Sequence, residues 1–282
     1  MHWFEDIEVV LFDLDGTLYQ DESFYNRYLE LLFQHTDYSS EKVQSITDEV
    51  SLIVKGGHFL KIGDWYNPEN GEWIRDTDDG LFVCTWDGVP QKEHSSYTDS
   101  RQGLIYAGDV WSLVGILANR YQINESVRKG AFLQVRKEML NQLSLEMERQ
   151  VLAEAIQSLT NIRSKILLTN SPEETGREFV DTLGYLDAFD HIVYSAGKPA
   201  GVESFMRELM KREQLQAHQI VSIGDHAWND LYPVRELGGH TVWISPYDSS
   251  DLNQWDLRIS TLHELSELLQ QLQLAKMAAA QK

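Results

Sequence analysis

The chain has 282 residues, enough for one or two domains with a large buried core. It carries 24 Lys and Arg against 44 Asp and Glu, so its formal net charge of −20 argues against nucleic acid or an anionic membrane as a non-specific partner. A single cysteine, Cys84, no basic leader and no long apolar run together predict a cytoplasmic protein without a membrane span.

The segment Val9–Leu18, VVLFDLDGTL, is the most informative part of the sequence. Its first four residues are apolar and predict a strand buried on both faces, as in a parallel sheet. The strand runs directly into two carboxylates, Asp13 and Asp15, which are followed by Gly16. Ligands bind at the carboxyl ends of strands in open α/β sheets, so a binding site is expected here, the alternative being a solvated turn.

Residues 19–164 form an insert that is far too long for an ordinary crossover and must carry its own structure. Apolar periodicity predicts helices in the first and last parts of the insert: Phe24–Gln34, Glu41–Val54, Val110–Arg120, Glu125–Gln142 and Glu148–Ile162. Residues 55–108, between them, contain turn dipeptides and short alternating segments that predict a small β-meander or hairpin. Its aromatic residues are expected to form a small core: Trp65, Tyr66, Trp73 and Trp86.

After the insert, strand-like and helical segments alternate, which predicts a parallel sheet built from βαβ units. The predicted strands are Lys165–Thr169, Ile192–Tyr194, Ile220–Ile223 and Thr241–Ile244. The predicted helices are Glu173–Leu183, Val202–Glu213, Ala227–Leu237 and Ser260–Leu274. The last eight residues, AKMAAAQK, are expected to be a frayed tail.

Polar residues follow the predicted strands in three of these later segments. KILLTNS places Thr169 at a strand end; the alternative for this segment is an N-cap for the following helix, a role that suits Ser171 better. SAGKPAGVESFM carries Lys198 before a proline, and VSIGDHAWND carries Asp225 and Asp230 after a buried strand.

The four segments, in this order, resemble the four motifs of the haloacid dehalogenase-like (HAD) phosphatase superfamily. The resemblance implies an α/β fold with a Rossmann-like parallel sheet as the core, made of residues 1–18 and 165–282. It also implies that residues 19–164 form a mainly helical cap between the first and second motifs, with residues 55–108 as a β-like insertion.

The resemblance assigns the reacting groups as well. Asp13 corresponds to the nucleophile of the family and Asp15 to its general acid/base. A Mg²⁺ ion would be held by Asp13, by the backbone carbonyl of Asp15 and by Asp225, since Mg²⁺ takes few protein oxygens and completes its shell with water and phosphate.

The remaining motif residues would bind the phosphoryl group. Thr169 and Asn170 would contact its oxygens, and Lys198 would neutralise its charge and that of the nucleophile. Asp230 is expected to support the site, through a hydrogen bond to Lys198, rather than to bind the metal.

The resulting expectation is a Mg²⁺-dependent phosphatase acting on a small phosphorylated metabolite, with neither nucleic acid nor membrane as a partner. A sugar-phosphate mutase with the same core residues is an open alternative. A dehalogenase has no need of Asp15 or a metal, and a non-catalytic binding or regulatory protein has no need of the full residue set. The sequence leaves the substrate and the oligomeric state open.

Overall fold

The structure is a computed structural model, and it describes residues 1–21, 23–91, 101–142 and 147–281. The chain divides into two compact units. Unit 1 comprises Met1–Asp21, Lys137–Pro246 and Trp255–Lys282, and unit 2 comprises Glu22–Arg136 and Tyr247–Gln254.

The described residues form ten strands and ten α-helices. The strands are β1 (Val9–Phe12), β2 (Trp65–Tyr66), β3 (Trp73–Thr77), β4 (Gly80–Cys84), β5 (Ile105–Tyr106), β6 (Ser164–Leu168), β7 (His191–Val193), β8 (Ile220–Gly224), β9 (His240–Ile244) and β10 (Leu257–Ile259). The α-helices are α1 (Phe24–Phe33), α2 (Ser40–Val54), α3 (Val110–Arg120), α4 (Glu125–Gln142), α5 (Met147–Gln157), α6 (Glu173–Thr182), α7 (Ala200–Glu213), α8 (Ala227–Asp230), α9 (Tyr232–Glu236) and α10 (Leu262–Ala279). Three short 3₁₀ segments span His2–Asp6, Leu186–Ala188 and Ala217–Gln219.

Unit 1 is built on a six-stranded sheet in the order β10-β9-β8-β1-β6-β7, with every pair parallel. Strand β1 lies in the interior of this sheet, and all four of its residues are buried, as its continuous apolar run predicts. On one face, Val9 and Leu11 pack with Ile166 of β6 and with Met206 of α7. The predicted α/β fold class is therefore confirmed.

Unit 2 contains a four-stranded antiparallel sheet in the order β4-β3-β2-β5. Strands β3 and β4 form a hairpin in which Thr77 pairs with Gly80, whose positive φ of 116° suits a glycine. The expected aromatic core is present, since four aromatic side chains are almost fully buried: Trp65, Tyr66, Trp73 and Trp86. The rings of Tyr66, Trp73 and Trp86 contact one another. Of the β-like segment 55–108, residues 92–100 lie outside the described residues.

The segment Tyr247–Gln254 joins unit 2 although it follows β9 of the parallel sheet. Ser249 bridges to Ile62, and the amide of Ser250 donates to the carbonyl of Ile62 at 2.8 Å. The hydroxyl of Tyr106 donates to Asp251 Oδ2 at 2.6 Å. A surface loop of the core sequence is thus fixed to the small antiparallel sheet.

The boundaries between the two units lie after Asp21 and after Arg136, whereas the sequence predicts domain boundaries at 18/19 and 164/165. Helix α5, expected in the insert, belongs to unit 1 because it packs against α10. That packing gives α5 its hydrophobic partner in unit 1. The assignment of the two units as catalytic core and cap stays a prediction.

Three other sequence expectations need correction. The predicted helix Ala227–Leu237 is two helices, α8 and α9, because Pro233 has no N–H to continue the hydrogen-bond ladder. The tail expected to fray is helical as far as Ala279, since α10 continues with Leu272 and Lys276 buried. Strand β10, three residues long and only partly buried, was not predicted.

In the described residues, no helix combines the length and apolar character that crossing a bilayer requires.

Candidate active site

Polar residues follow the carboxyl ends of three neighbouring strands in unit 1. Strand β1 lies between β6 and β8, and all three run in the same direction. Asp13 follows β1, Thr169 follows β6 and Asp225 follows β8. Parallel strands bring these ends to one edge of the sheet, which is the edge where ligands bind in such folds.

A buried lysine joins two of the carboxylates at this edge. Lys198 Nζ lies 2.6 Å from Asp13 Oδ1 and 2.7 Å from Asp230 Oδ1, and its side chain is only 3% exposed. The contact between Lys198 and Asp230 is the one expected from the sequence. The loop before α7 brings Lys198 to this edge, and Asn170 Oδ1 accepts the backbone N–H of Lys198 at 2.9 Å. Asn170, expected to bind phosphate, therefore also holds this loop in place.

Three carboxylates lie close together at this edge, and two of them contact the lysine. Asp13, Asp225 and Asp230 are buried, and each offers an oxygen within 4.8 Å of the others. Burial raises the pKa of Asp13; the charge of Lys198 lowers it, and those of Asp230 and Asp15 raise it again, with a net upward shift. Burial lowers the pKa of Lys198, but the charges of Asp13 and Asp230 outweigh it, so Lys198 stays protonated. Lys198 thus contacts two of the three carboxylates, Asp13 and Asp230.

The donor set fits a hard divalent cation. Carboxylate oxygens are the ligands that Mg²⁺ prefers, and three buried carboxylates with oxygens within 4.8 Å of one another are a set that could hold such an ion. The backbone is built to leave room beside Asp225, because a Cβ on Gly16 would lie 2.0 Å from Asp225 Oδ2. Trp243 Nε1 donates to the carbonyl of Asp225 at 2.7 Å and fixes the loop after β8.

Asp15 is held by two hydroxyl groups. The hydroxyl of Tyr19 donates to Asp15 Oδ1, and Ser171 Oγ donates to Asp15 Oδ2 at 2.9 Å. The alternative that Ser171 caps the next helix is not what the structure shows, since Pro172 occupies the N-cap of α6 and makes no side-chain cap. The side chain of Ser171 instead reaches a residue 156 positions earlier in the chain.

Thr169 is buried at the end of β6, and its Oγ1 accepts the N–H of Ser171 at 3.0 Å. This bond shapes the turn that places Ser171 beside Asp15. On the other side, the hydroxyl of Thr17 points to Asp13 Oδ2 at 3.4 Å. The structure thus gathers the predicted carboxylates and lysine in one cluster and adds hydroxyl groups to which the sequence assigned no role there.

His226, directly after Asp225, contributes mainly to the local backbone. Its Nδ1 accepts the N–H of Asn229 at 3.3 Å and so caps α8. Its own N–H donates to Asp230 Oδ2 at 3.1 Å, which leaves Asp230 Oδ1 for Lys198. The residue therefore orients Asp230 through the main chain.

Comparison with known proteins agrees with this arrangement. Residues 7–238 match the family model described as haloacid dehalogenase-like hydrolase. A search of curated protein sequences found no match.

Solved structures share the fold at low sequence identity. A HAD family hydrolase from Deinococcus radiodurans, solved with bound phosphate and sodium, is 12% identical over 96% of this chain and 98% of its own, with a TM-score of 0.52. A candidate β-phosphoglucomutase from Thermotoga maritima is 16% identical, with 94% and 99% covered and a TM-score of 0.51. A candidate HAD hydrolase from Bacillus subtilis, bound to magnesium, is 17% identical, with 94% and 99% covered and a TM-score of 0.50.

The family model covers most of the chain and includes all four strand-end segments that build the carboxylate and lysine cluster. The chain therefore belongs to the haloacid dehalogenase-like hydrolase family.

Proposed function

We propose that the protein is a Mg²⁺-dependent phosphatase that hydrolyses a small phosphorylated metabolite through an aspartyl-phosphate on Asp13. One observation carries the proposal: two carboxylates, two residues apart, have different surroundings. Asp13 pairs with Lys198 inside a buried anionic cluster, whereas Asp15 accepts hydrogen bonds from two neutral hydroxyl groups. Different surroundings suit one carboxylate to act as nucleophile and the other as acid and base.

Asp13, Asp225 and the backbone carbonyl of Asp15 would hold the metal. When bound, Mg²⁺ supplies positive charge against the phosphoryl oxygens and the carboxylates. The chain itself contributes Lys198 as a second positive charge, and without such neutralisation a carboxylate and a phosphate dianion would repel each other. The proposal that Thr169 and Asn170 bind the phosphoryl group rests on their place at the end of β6.

The chain's own groups would carry the reaction in two steps. In the first step, Asp13 forms a bond to phosphorus while the ester P–O bond breaks, and Asp15 donates its proton to the departing alcohol oxygen. In the second step, Asp15 takes a proton from water, the water oxygen bonds to phosphorus, and the bond from Asp13 to phosphorus breaks. Phosphate leaves, and Asp13 and Asp15 return to their starting states.

Asp15 and Asp225 favour a phosphatase over a dehalogenase, because a dehalogenase needs neither an acid/base two residues after the nucleophile nor a metal. Phosphate and magnesium, bound in the Deinococcus and Bacillus structures respectively, are groups of the kind proposed for this chain. A sugar-phosphate mutase would use the same residues, but it would return the phosphoryl group to its substrate. The two activities differ in whether inorganic phosphate is released.

We also propose that unit 2 acts as the cap of this enzyme, since most of it is inserted between the first and second motifs. Such a cap would choose the substrate and exclude water during the reaction. We further propose a cytoplasmic location, because a chain with a single cysteine cannot form an internal disulfide and so suits a reducing compartment.

A panel of phosphorylated metabolites, assayed for released phosphate with Mg²⁺, tests the function. We expect release from at least one compound by the wild-type protein and none by Asp13→Asn, which is nearly isosteric but lacks the anionic nucleophile. Interconversion of two sugar phosphates without phosphate release would identify the mutase instead. Equal phosphate release by both proteins would exclude a nucleophilic Asp13.

A further inference from the structure

The loop after β1 and the turn after β6 each contribute one hydroxyl group that donates a hydrogen bond to the carboxylate of Asp15. Tyr19 donates to Asp15 Oδ1 and Ser171 donates to Asp15 Oδ2, so both oxygens of Asp15 are engaged. Tyr19 is 3% exposed and Ser171 is 7% exposed. Hydrogen bonds are directional, so a carboxyl group that accepts one at each oxygen cannot rotate freely about its side-chain bonds.

The positions of the two donors are themselves constrained. The ring of Tyr19 packs on Phe179 of α6, with ring centroids 5.5 Å apart, and Phe179 is fully buried. Ser171 is set by the bond from its N–H to Thr169 Oγ1. The backbone just before Tyr19 is tied down as well, because Tyr185 donates its hydroxyl to the carbonyl of Leu18 at 3.0 Å. Each donor therefore reaches Asp15 from a rigid support.

We propose that Tyr19 and Ser171 are positioning residues that aim the carboxyl group of Asp15 at the leaving-group oxygen. The inference rests on the proposed phosphatase function and goes beyond it, because it assigns a task to two residues outside the nucleophile, acid/base and metal set. A general acid must lie within hydrogen-bond reach of the oxygen that it protonates, so a freely rotating carboxyl group is a poorer acid catalyst.

Two substrates whose leaving groups differ in their need for protonation can reveal a loss of acid catalysis by Asp15. p-Nitrophenolate departs without help from an acid, whereas a benzyl alkoxide must be protonated as it leaves. p-Nitrophenyl phosphate and benzyl phosphate have similar size, so a general packing defect would affect both alike. Their kcat/KM values report the step in which the alcohol departs, before the aspartyl-phosphate is hydrolysed.

We expect Tyr19→Phe, which keeps the ring, to lower kcat/KM for benzyl phosphate about tenfold and that for p-nitrophenyl phosphate less than about threefold. Ser171→Ala should change the ratio in the same direction, and it carries the test if Tyr19→Phe does not fold. Ser266→Ala is the matched control for Ser171→Ala, because it also removes one buried hydroxyl donor of unit 1, but that hydroxyl donates to the carbonyl of Leu262 within α10 and not to Asp15. It should keep the wild-type ratio, and its thermal unfolding midpoint should fall by about as much as that of Ser171→Ala.

Equal losses on the two esters, or an unchanged ratio in folded variants, would overturn the positioning role while leaving the phosphatase intact. If the wild-type protein hydrolyses neither ester, and Asp13→Asn behaves identically on the metabolite panel, the proposed function itself fails. A ratio that shifts as much in Ser266→Ala as in Ser171→Ala would attribute the effect to general loosening and would also overturn the inference.

Discussion

Two buried ion pairs, one in each unit, show opposite ways to place charge inside a protein. In unit 2, Asp64 is 2% exposed at its side chain and meets Arg75 through two hydrogen bonds of 2.7 Å. Its remaining capacity is filled by the N–H of Lys61 at 2.8 Å and the hydroxyl of Ser250 at 2.6 Å. One negative charge meets one positive charge, and the carboxylate accepts hydrogen bonds from every side.

In unit 1, Lys198 is equally buried but contacts two carboxylates, Asp13 and Asp230, and Asp225 offers a third carboxylate oxygen within 4.8 Å of theirs. Burying charge is costly unless it is paired and hydrogen-bonded, so the balanced pair of unit 2 suits a structural role. Several carboxylates gathered beside one lysine instead suit the binding of a cation. The number of carboxylates in one place, rather than burial, separates the candidate site from a structural ion pair.

The largest expected effect comes from the nucleophile. Asp13→Asn should lower kcat by about 10⁴-fold or more, because the amide cannot form the phosphorylated intermediate. Steady-state phosphate release measures this loss, and circular dichroism checks that the fold is kept. A variant retaining a tenth of the wild-type rate would contradict covalent catalysis by Asp13.

Metal removal should come next in size. Exhaustive dialysis against a chelator should lower activity about 10³-fold, and Mg²⁺ should restore it. Mg²⁺ at a hundred times its dissociation constant should also stabilise the fold by about 2.7 kcal/mol, seen as a higher unfolding midpoint. Asp225→Asn should lose this midpoint shift, whereas Asp64→Asn should keep it. A shift of the same size in Asp225→Asn would remove Asp225 from the metal site.

Asp15→Ala should separate acid/base chemistry from metal binding. We expect kcat to fall about 10²–10³-fold, because both the departure of the alcohol and the attack of water lose their proton carrier. The unfolding shift produced by Mg²⁺ should remain close to wild type, since the proposed metal ligand of this residue is its backbone carbonyl. Loss of the shift to the degree expected for Asp225→Asn would show that the Asp15 carboxylate binds the metal.

The smallest effect should come from the balanced pair of unit 2. Asp64→Asn should lower the free energy of unfolding by about 2–3 kcal/mol, because Arg75 would lose its counter-charge while it remains largely buried. Asp76→Asn is the control from the same strand, β3. Asp76 pairs with Arg101 but is 45% exposed, so its loss should cost less than about 1 kcal/mol. Chemical denaturation of both variants gives the comparison, and equal costs would contradict the structural role of Asp64.

Much of the site was predictable because its residues follow recognisable strands. Asp13 and Asp225 come directly after apolar runs, and parallel strands carry such residues to the same edge of a sheet. Lys198 and Asp230 were placed by their order along the chain relative to those strands. The hydroxyl donors were not found, because neither has a local pattern that distinguishes it. Tyr19 reads as one more aromatic residue, and Ser171, just before a proline, reads as a helix cap.

The fold shows the same division. Strand β1 and the aromatic core of the β-like unit follow from local apolar pattern and turn residues. Segment 247–254 gave no sign of belonging to unit 2, since its partners Ile62, Asp64 and Tyr106 lie far away in the sequence. The final turns of α10 were expected to fray, but packing buries Lys276, whose Nζ reaches Glu8 Oε1 at 3.0 Å.

The class of fold, the strand ends that carry the carboxylates and the resemblance to the family could all be predicted from the amino-acid sequence. Those features rest on local rules, because apolar periodicity and a motif of ten residues need no distant partner. Three features became visible only in the folded structure. They are the hydrogen bonds from Tyr19 and Ser171 to Asp15, the contacts of Asp64 with Arg75 and Ser250, and the bounds of unit 2. These outcomes depend on contacts between residues far apart in the sequence, and a chain specifies such contacts only through the packing of the whole fold.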